Sequence, residues 1–218
     1  MNVIIFGDRE LAELAHYYLT QKAHRNVVAF CVNGAHLKQT TLFDLPVIPF
    51  EDIARVLPPE ENEFFAPVYA KQMNQLREEV ANKIKRAGYR LISFVDPSSM
   101  LHNSSVGENC FIFENVNVQP FCKIGNNVII WSCTHIGHHS EICDNNFIST
   151  HVAVSGRCRV EPYCFLGTSS VTRDGLTLAR GTMLGIGAAL AQDTEPWSLY
   201  LGVPAKQVPD RNTLEIMK

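Results

Sequence analysis

Apolar residues recur at every sixth position from Val106 to Leu190. Val106, Ile112, Val118, Ile124, Ile130, Ile136, Ile142, Ile148, Val154, Val160, Leu166, Thr172, Leu178, Leu184 and Leu190 share one phase, and only Thr172 is not aliphatic. Four residues after most of them comes a small or compact side chain: Cys110, Val116, Cys122, Val128, Thr134, Ser140, Asn146, Val152, Cys158, Cys164. A helix cannot hold a period of six, and an ordinary half-buried strand repeats every two residues. The hexad period predicts a parallel β-helix, short strands coiled into a stacked prism. Three hexads complete one coil, so residues eighteen apart lie above one another at about 4.8 Å. The six-phase residues then form the core. Asn109, Asn115, Asn126, Asn127 and Asn145 are expected at corners, where Asn tolerates left-handed backbone angles.

The first hundred residues follow another rhythm. Asn2 to Phe6 reads as a strand, and Gly7-Asp8 turns it into a helix whose inner face is Leu11, Leu14, Ala15, Tyr18 and Leu19. Strands are expected at Asn26–Val32, Glu63–Val68 and Arg90–Val95, with an edge segment at Leu45–Ile48. Helices are expected at Phe50–Leu57 and Lys71–Lys85. Such alternation predicts a small parallel sheet with helical crossovers. Asp96-Pro97-Ser98-Ser99 breaks the pattern, dividing the chain into an α/β domain, residues 1–97, and a prism domain, residues 98–218.

Composition narrows the function. The formal charge of −3 comes with no basic block that could track a phosphate backbone, so no nucleic-acid partner is expected. No signal-peptide pattern and no apolar run of membrane-spanning length is present, which points to a cytoplasmic protein without a membrane partner. The seven cysteines include no CxxC pair, and Cys110, Cys122, Cys158 and Cys164 read as core fillers.

Two stretches carry candidate chemistry. The turn at Gly7-Asp8 stands where parallel sheets bind phosphate, beyond the strand ends; Asn33, Tyr69 and Asn74 follow later strands and are candidate contacts. Only one glycine of a G-x-G-x-x-G motif is present, and Asp8 and Glu10 would repel a diphosphate, so backbone N–H groups would have to serve. The second stretch is the cluster His135, His138 and His139, with His151 two hexads on. An imidazole suits general-base removal of a proton from an amine or hydroxyl attacking a thioester. Eighteen residues beyond His138 stands Gly156, whose N–H could meet the resulting oxyanion from the next coil. Solvated or interface-filling histidines, or a metal site, are the alternatives. Near the C-terminus, Lys206 beside Pro204 could meet the phosphate-bearing end of CoA, or simply be a solvated charge on a capping tail. Trp131, Phe113 and Phe121 on the prism walls would leave apolar area in water in a monomer, which predicts a trimer.

These features resemble a known family. An α/β domain followed by a left-handed hexapeptide prism is similar to the sugar-nucleotide acyltransferases of bacterial surface-glycan (lipopolysaccharide-type) synthesis, including bacillosamine-type N-acetyltransferases and sialic acid O-acetyltransferases. "IGHHSEICDNNFIS" resembles the catalytic-histidine hexad, with His138 as base; "VSGRCRVEPYCFLG" resembles the next coil, with Gly156 as oxyanion contact; "YLGVPAKQV" resembles the segment closing over acyl-CoA. The resemblance implies a homotrimer whose active sites lie between prisms, with acyl-CoA, acetyl or longer, along Thr168, Gly185, Ala188, Pro204 and Lys206. It implies a nucleotide-linked amino sugar near Gly7, Asp8, Asn33, Tyr69, Asn74 and His139. No metal is expected, because carbonic-anhydrase prisms pair ligands five residues apart, and here Cys143 and Asp144 follow His138 and His139 at that distance. Many relatives carry an acidic residue after the base, where this chain has His139. Orientation of His138 is therefore expected from elsewhere, Glu141 or a carbonyl across the interface. The histidine doublet resembles a branch acylating dTDP-linked 3- or 4-amino sugars; O-acylation of a sugar is the runner-up reading, and a trimeric metal-binding prism or non-catalytic scaffold is the rival of a different class.

Overall fold

The computed structural model describes residues 1–217. It opens with β1 (Asn2–Phe6), α1 (Glu10–Tyr17) and a π turn, Tyr18–Lys22; then come β2 (Val27–Val32), β3 (Thr41–Leu42), β4 (Leu45–Pro49), α2 (Phe50–Val56), β5 (Asn62–Phe65) and α3 (Gln75–Arg86). The sheet order is β3-β4-β2-β1-β5. Every pairing is parallel except β3 with β4. The segment expected as an edge is thus an inner strand, because the Phe43-Asp44 turn folds β3 back outside it. The polar helix begins at Gln75 rather than Lys71, since Gln72, Met73 and Asn74 all take positive φ and cannot propagate a helix.

The expected fourth strand, Arg90–Val95, does not join this sheet as a strand. Leu91 makes only an isolated bridge to Phe64, and Phe94–Val95 pairs with Phe111–Ile112 as the first rung of the prism. The prism wall therefore starts ahead of Pro97. From there, two-residue strands stack in parallel on three faces at steps of eighteen, as in Asn117↔His135, Lys123↔Glu141 and Ile129↔Phe147. The six-phase residues from Ile112 to Leu190 are buried inside with Cys110, Cys122, Cys158 and Cys164, which are free thiols. Tyr200 and Ala205 close the far end, and Ala205 N–H donates to Ala189 O at 2.7 Å.

Corners sit in left-handed backbone at Asn109, Asn115, Asn127 and Asn145, where a side-chain amide relieves the cost. Asn126 does not take this conformation. It stands one residue earlier in its turn and spends its Oδ1 on the Glu108 N–H (3.0 Å). The left-handed position also holds Phe121, Cys133, His139, His151, Arg157, Tyr163 and Ser169, so the corner geometry overrides residue preference.

The outward residue of each rung decides what the face meets. One face shows Ser105, Lys123, Glu141, Arg159 and Thr177. Another shows Phe94, Phe111, Ile129, Phe147, Phe165 and Met183, and the α/β domain lies on it. Phe111 and Phe113 join Val3, Ile5, Ala15, Tyr18 and Phe65 in one apolar cluster. Phe113 is therefore buried and Trp131, stacked on it at 4.3 Å, is half-buried, so neither is the free apolar surface the sequence suggested. Phe121 alone of the three is exposed, at 58%.

Arg77 of α3 fastens the two parts. Wholly buried, it donates to Asn127 O (2.8 Å) and Asn146 O (3.0 Å) on the prism, and to Val68 O (3.0 Å) and Asn74 Oδ1 (3.2 Å) on its own side. Among the described residues no carboxylate pairs with it, and burial pushes its pKa down to about 9.

Candidate active site

His138 follows the rung His135–Ile136 at a corner of the prism. Its N–H donates to Gln119 Oε1 at 2.9 Å, and its half-buried ring lies over Gly156 on the next coil. A Cβ built on Gly156 would come within 2.8 Å of both Cε1 and Nε2 of that ring. Glycine at 156 therefore makes room for the imidazole and leaves its Nε2 edge against the Gly156 backbone. Gly137 is needed for the same approach, because a Cβ there would meet Gly156 N at 2.5 Å. Its role was not read from the sequence, although it stands directly before the histidine pair.

The remaining ring nitrogen of His138 meets His139: Nδ1 lies 3.1 Å from His139 Nδ1, with the rings nearly perpendicular. If His138 donates from Nδ1, its Nε2 is left with a lone pair facing Gly156, the tautomer a general base needs. His139, exposed, rests against Phe121 at 4.8 Å. Glu141, one candidate for orienting His138, is turned onto another face and paired with Arg159. His139 is expected among sugar contacts, but the fold puts it beside His138 rather than at the cleft described below.

The segment bearing Gly156 is clamped from the following coil. Thr172, the one non-aliphatic residue in the core phase, uses its Oγ1 to accept the Ser155 N–H (3.0 Å), and Ser155 Oγ donates to Thr172 O (2.6 Å). The break in the apolar series thus has a purpose: a hydroxyl fixes the backbone next to the donor. The Gly156 N–H itself donates to Asp174 Oδ1 at 3.2 Å.

A second feature is a cleft of about 700 Å³ at the C-terminal ends of β1 and β2, lined by Gly7, Asp8, Asn33 and Tyr69 among the expected residues. With β2 and β5 on opposite sides of β1, this is the topological switch point of the sheet. Gly7 N–H is already used by Cys31 O (2.8 Å), so it is not free to meet an anion. Arg9, Lys38 and Lys71 line the cleft together with His36, and the three cations outnumber Asp8 and Glu10, offsetting the repulsion those carboxylates would exert on an anion. None of the four stood out in sequence, being scattered over three connections. Trp131, from the prism, completes the wall.

Asn74 does not belong to this cleft. It is buried, donates to Cys164 O (3.2 Å) and accepts from Arg77, so it is a strut between α3 and the prism. Of the residues expected along CoA, Thr168, Pro204 and Lys206 are exposed, and Gly185 is half-buried beneath Leu201. Ala188 is different: its side chain is fully buried in the prism core, so only its backbone could meet a ligand. Among the described residues no group of three or more His, Cys, Asp or Glu side chains is placed to hold a metal ion, and no helix is long and apolar enough to cross a membrane.

Residues 103–138 match the family described as bacterial transferase hexapeptide (six repeats). A curated acyl-[acyl-carrier-protein]–UDP-N-acetylglucosamine O-acyltransferase from Sinorhizobium fredii is 26% identical over 120 residues, 49% of this chain and 44% of that protein. A namesake from Nautilia profundicola is 26% identical over 84 residues, 38% of this chain and 32% of its own. The chain thus spans less than half the length of these curated relatives. Solved structures match far more of it. A variant of perosamine N-acetyltransferase from Caulobacter crescentus, in complex with CoA and GDP-perosamine, aligns over 96% of this chain and 98% of its own, with TM-score 0.86 and 20% identity. The acetyltransferase domain of PglB from Neisseria gonorrhoeae, with acetyl coenzyme A, aligns over 95% and 98%, with TM-score 0.83 and 19% identity. At such identities the likeness establishes the architecture, an α/β domain followed by a left-handed parallel β-helix, along nearly the whole chain.

Proposed function

We propose that this protein is a homotrimeric, cytoplasmic N-acyltransferase that moves an acyl group from CoA to the amine of a nucleotide-linked amino-deoxy sugar in bacterial surface-glycan synthesis. The observation that carries this reading is the His138 ring seated on Gly156 of the adjacent coil, its Cε1–Nε2 edge standing where a Cβ of residue 156 would be. The neutral amine attacks the thioester carbon, and His138 Nε2 takes the proton the nitrogen sheds. The carbonyl oxygen becomes an oxyanion that the Gly156 N–H can stabilise. Collapse expels the CoA thiolate, which recovers the proton from His138. The cleft holding Gly7, Asn33, Tyr69 and Lys71 takes the nucleotide. CoA lies along the prism towards Thr168, Gly185, Pro204 and Lys206.

Trimer assembly is supported by the layout. Trp131, at the cleft, follows Ile130, whereas His138 follows Ile136, so the cleft and the base of one chain stand at different corners of its prism. A sugar held in one chain's cleft meets the base of a neighbour. Phe121, Met100 and Val171 are exposed apolar residues at that neighbour-facing corner and face.

The names of the curated relatives favour a second reading, acylation of a sugar hydroxyl, which the same base and donor would serve. A thermal-shift panel of nucleotide sugars and acyl-CoAs tests the proposal. A ligand at a hundred times its dissociation constant stabilises the protein by about 2.7 kcal/mol. Stabilisation by acetyl-CoA and by a nucleotide-linked amino sugar is expected; no response to any CoA would sink it.

A further inference from the structure

The Gly156 N–H is not idle in this structure. It is buried, and its acceptor is the carboxylate of Asp174, eighteen residues on at the same corner, with Oδ1 at 3.2 Å. Another corner shows such contacts with further support. Glu108 N–H donates to Asn126 Oδ1 (3.0 Å), and Asn126 N–H donates to Asp144 Oδ1 (2.7 Å). There the accepting side chains are part of a ladder, since Asn126 Nδ2 also reaches both oxygens of Asp144 at 3.4 Å. Asp174 has no such support. Among the described residues its carboxylate makes no other hydrogen bond and no ion pair, and the side chain is exposed. It is followed by Gly175, whose positive φ and open surroundings leave the turn unobstructed. Nor is Asp174 needed to hold the donor in place, because Thr172 already clamps Ser155 through two bonds.

We infer that Asp174 is a resident competitor for the acyl carbonyl: its carboxylate occupies the Gly156 N–H in the free enzyme and must leave before a thioester can seat there. The inference rests on the reading of Gly156 as the donor to the reacting carbonyl. One N–H serves one strong acceptor, and an ionised carboxylate is a better acceptor than a neutral thioester oxygen. Asp174 therefore weakens ground-state binding of acyl-CoA. It does nothing to free CoA, which has no thioester carbonyl to place at that donor. After transfer the thiol product leaves the donor without a partner, Asp174 returns to it, and acylated and spent CoA are held with more similar strength than the pocket alone would give.

The test compares acetyl-CoA, CoA and S-ethyl-CoA, a thioether of similar bulk without the thioester carbonyl, by titration calorimetry on the wild type, Asp174→Ala and Asp174→Asn. Asp174→Ala should tighten acetyl-CoA by about fivefold to tenfold, the worth of one released acceptor. CoA and S-ethyl-CoA should stay within about twofold. Asp174→Asn, which keeps the volume and a neutral acceptor, should fall between, and it serves if the alanine variant folds poorly. Equal tightening of all three ligands would assign Asp174 to general charge repulsion and overturn the inference, as would weaker acetyl-CoA binding or no change. If the wild type binds none of the three, the acyltransferase reading itself fails, a result distinct from an unchanged ratio in the variants.

Discussion

Replacing Gly156 by alanine should separate catalysis from stability. Gly156 does not sit in left-handed backbone, so alanine meets no conformational barrier there. Its methyl would lie 2.8 Å from Cε1 and Nε2 of His138, where ordinary contacts begin near 3.4 Å, so the ring must retreat by at least 0.6 Å. The ring is a half-buried side chain at the surface, free to tilt outward, so the fold should lose no more than about 1 kcal/mol, on the order of 2–4 °C in Tm for a chain of this size. Turnover is another matter. A misplacement of about 1 Å at a reacting group costs roughly a hundredfold, so a shift of 0.6 Å predicts a loss of about ten- to a hundredfold in kcat. Binding of CoA should not change. Steady-state kinetics with a saturating nucleotide sugar, alongside thermal melts, would measure both. The double variant with His138→Ala should be no slower than His138→Ala alone, because a ring already absent cannot be displaced. Full turnover in Gly156→Ala would refute the reasoning, since the placement of the imidazole over residue 156 is not compatible with a Cβ.

His138→Asn distinguishes the two nucleophiles. Partial activity that recovers as pH rises marks an amine, which attacks once neutral, whereas near-total loss at every pH marks a hydroxyl that needs the base throughout. Arg77→Ala removes four hydrogen bonds at the junction and leaves a cavity, so stability should fall by about 3–5 kcal/mol and Tm by roughly 10 °C. A shift of under 2–3 °C in calorimetry, as for an ordinary surface substitution, would show that the junction does not depend on it.

The prism was legible because its signal is redundant. Fifteen residues in one phase state the same period, and a single exception at Thr172 cannot hide it. The α/β domain was legible in outline, but its last strand was misassigned for a physical reason. An apolar run such as Leu91 to Val95 suits a parallel sheet and a prism rung equally well, and only the partner decides. The outward phase carries a second signal. Phe111, Ile129, Phe147, Phe165 and Met183 recur at eighteen on one face, while Lys123, Glu141 and Arg159 do so on another. Five large apolar side chains cannot all face water, so that face had to be covered. The domain that covers it also buries Phe113, which is why exposure inferred from single aromatic residues misled.

The site divides along the same line. Residues eighteen apart lie on one corner, so the pairing of His138 with Gly156 follows from counting, and one more step of the count reaches Asp174. What counting supplies is adjacency; it says nothing of which atom is engaged. Whether the Gly156 N–H is open or taken depends on one rotamer of Asp174, and whether His138 finds an orienting partner depends on a left-handed turn at His139 that brings two Nδ1 atoms within 3.1 Å. Arg77 lies further still from the reach of sequence. A guanidinium in a charged, amphipathic helix reads as solvated, and only the approach of two prism carbonyls, fifty and sixty-nine residues away, makes burial tolerable. Short-range periodicity therefore predicts the scaffold and the neighbours of a catalytic group. The hydrogen-bond state of that group is set by contacts the period does not encode, and those contacts are where this chain differs from a generic prism.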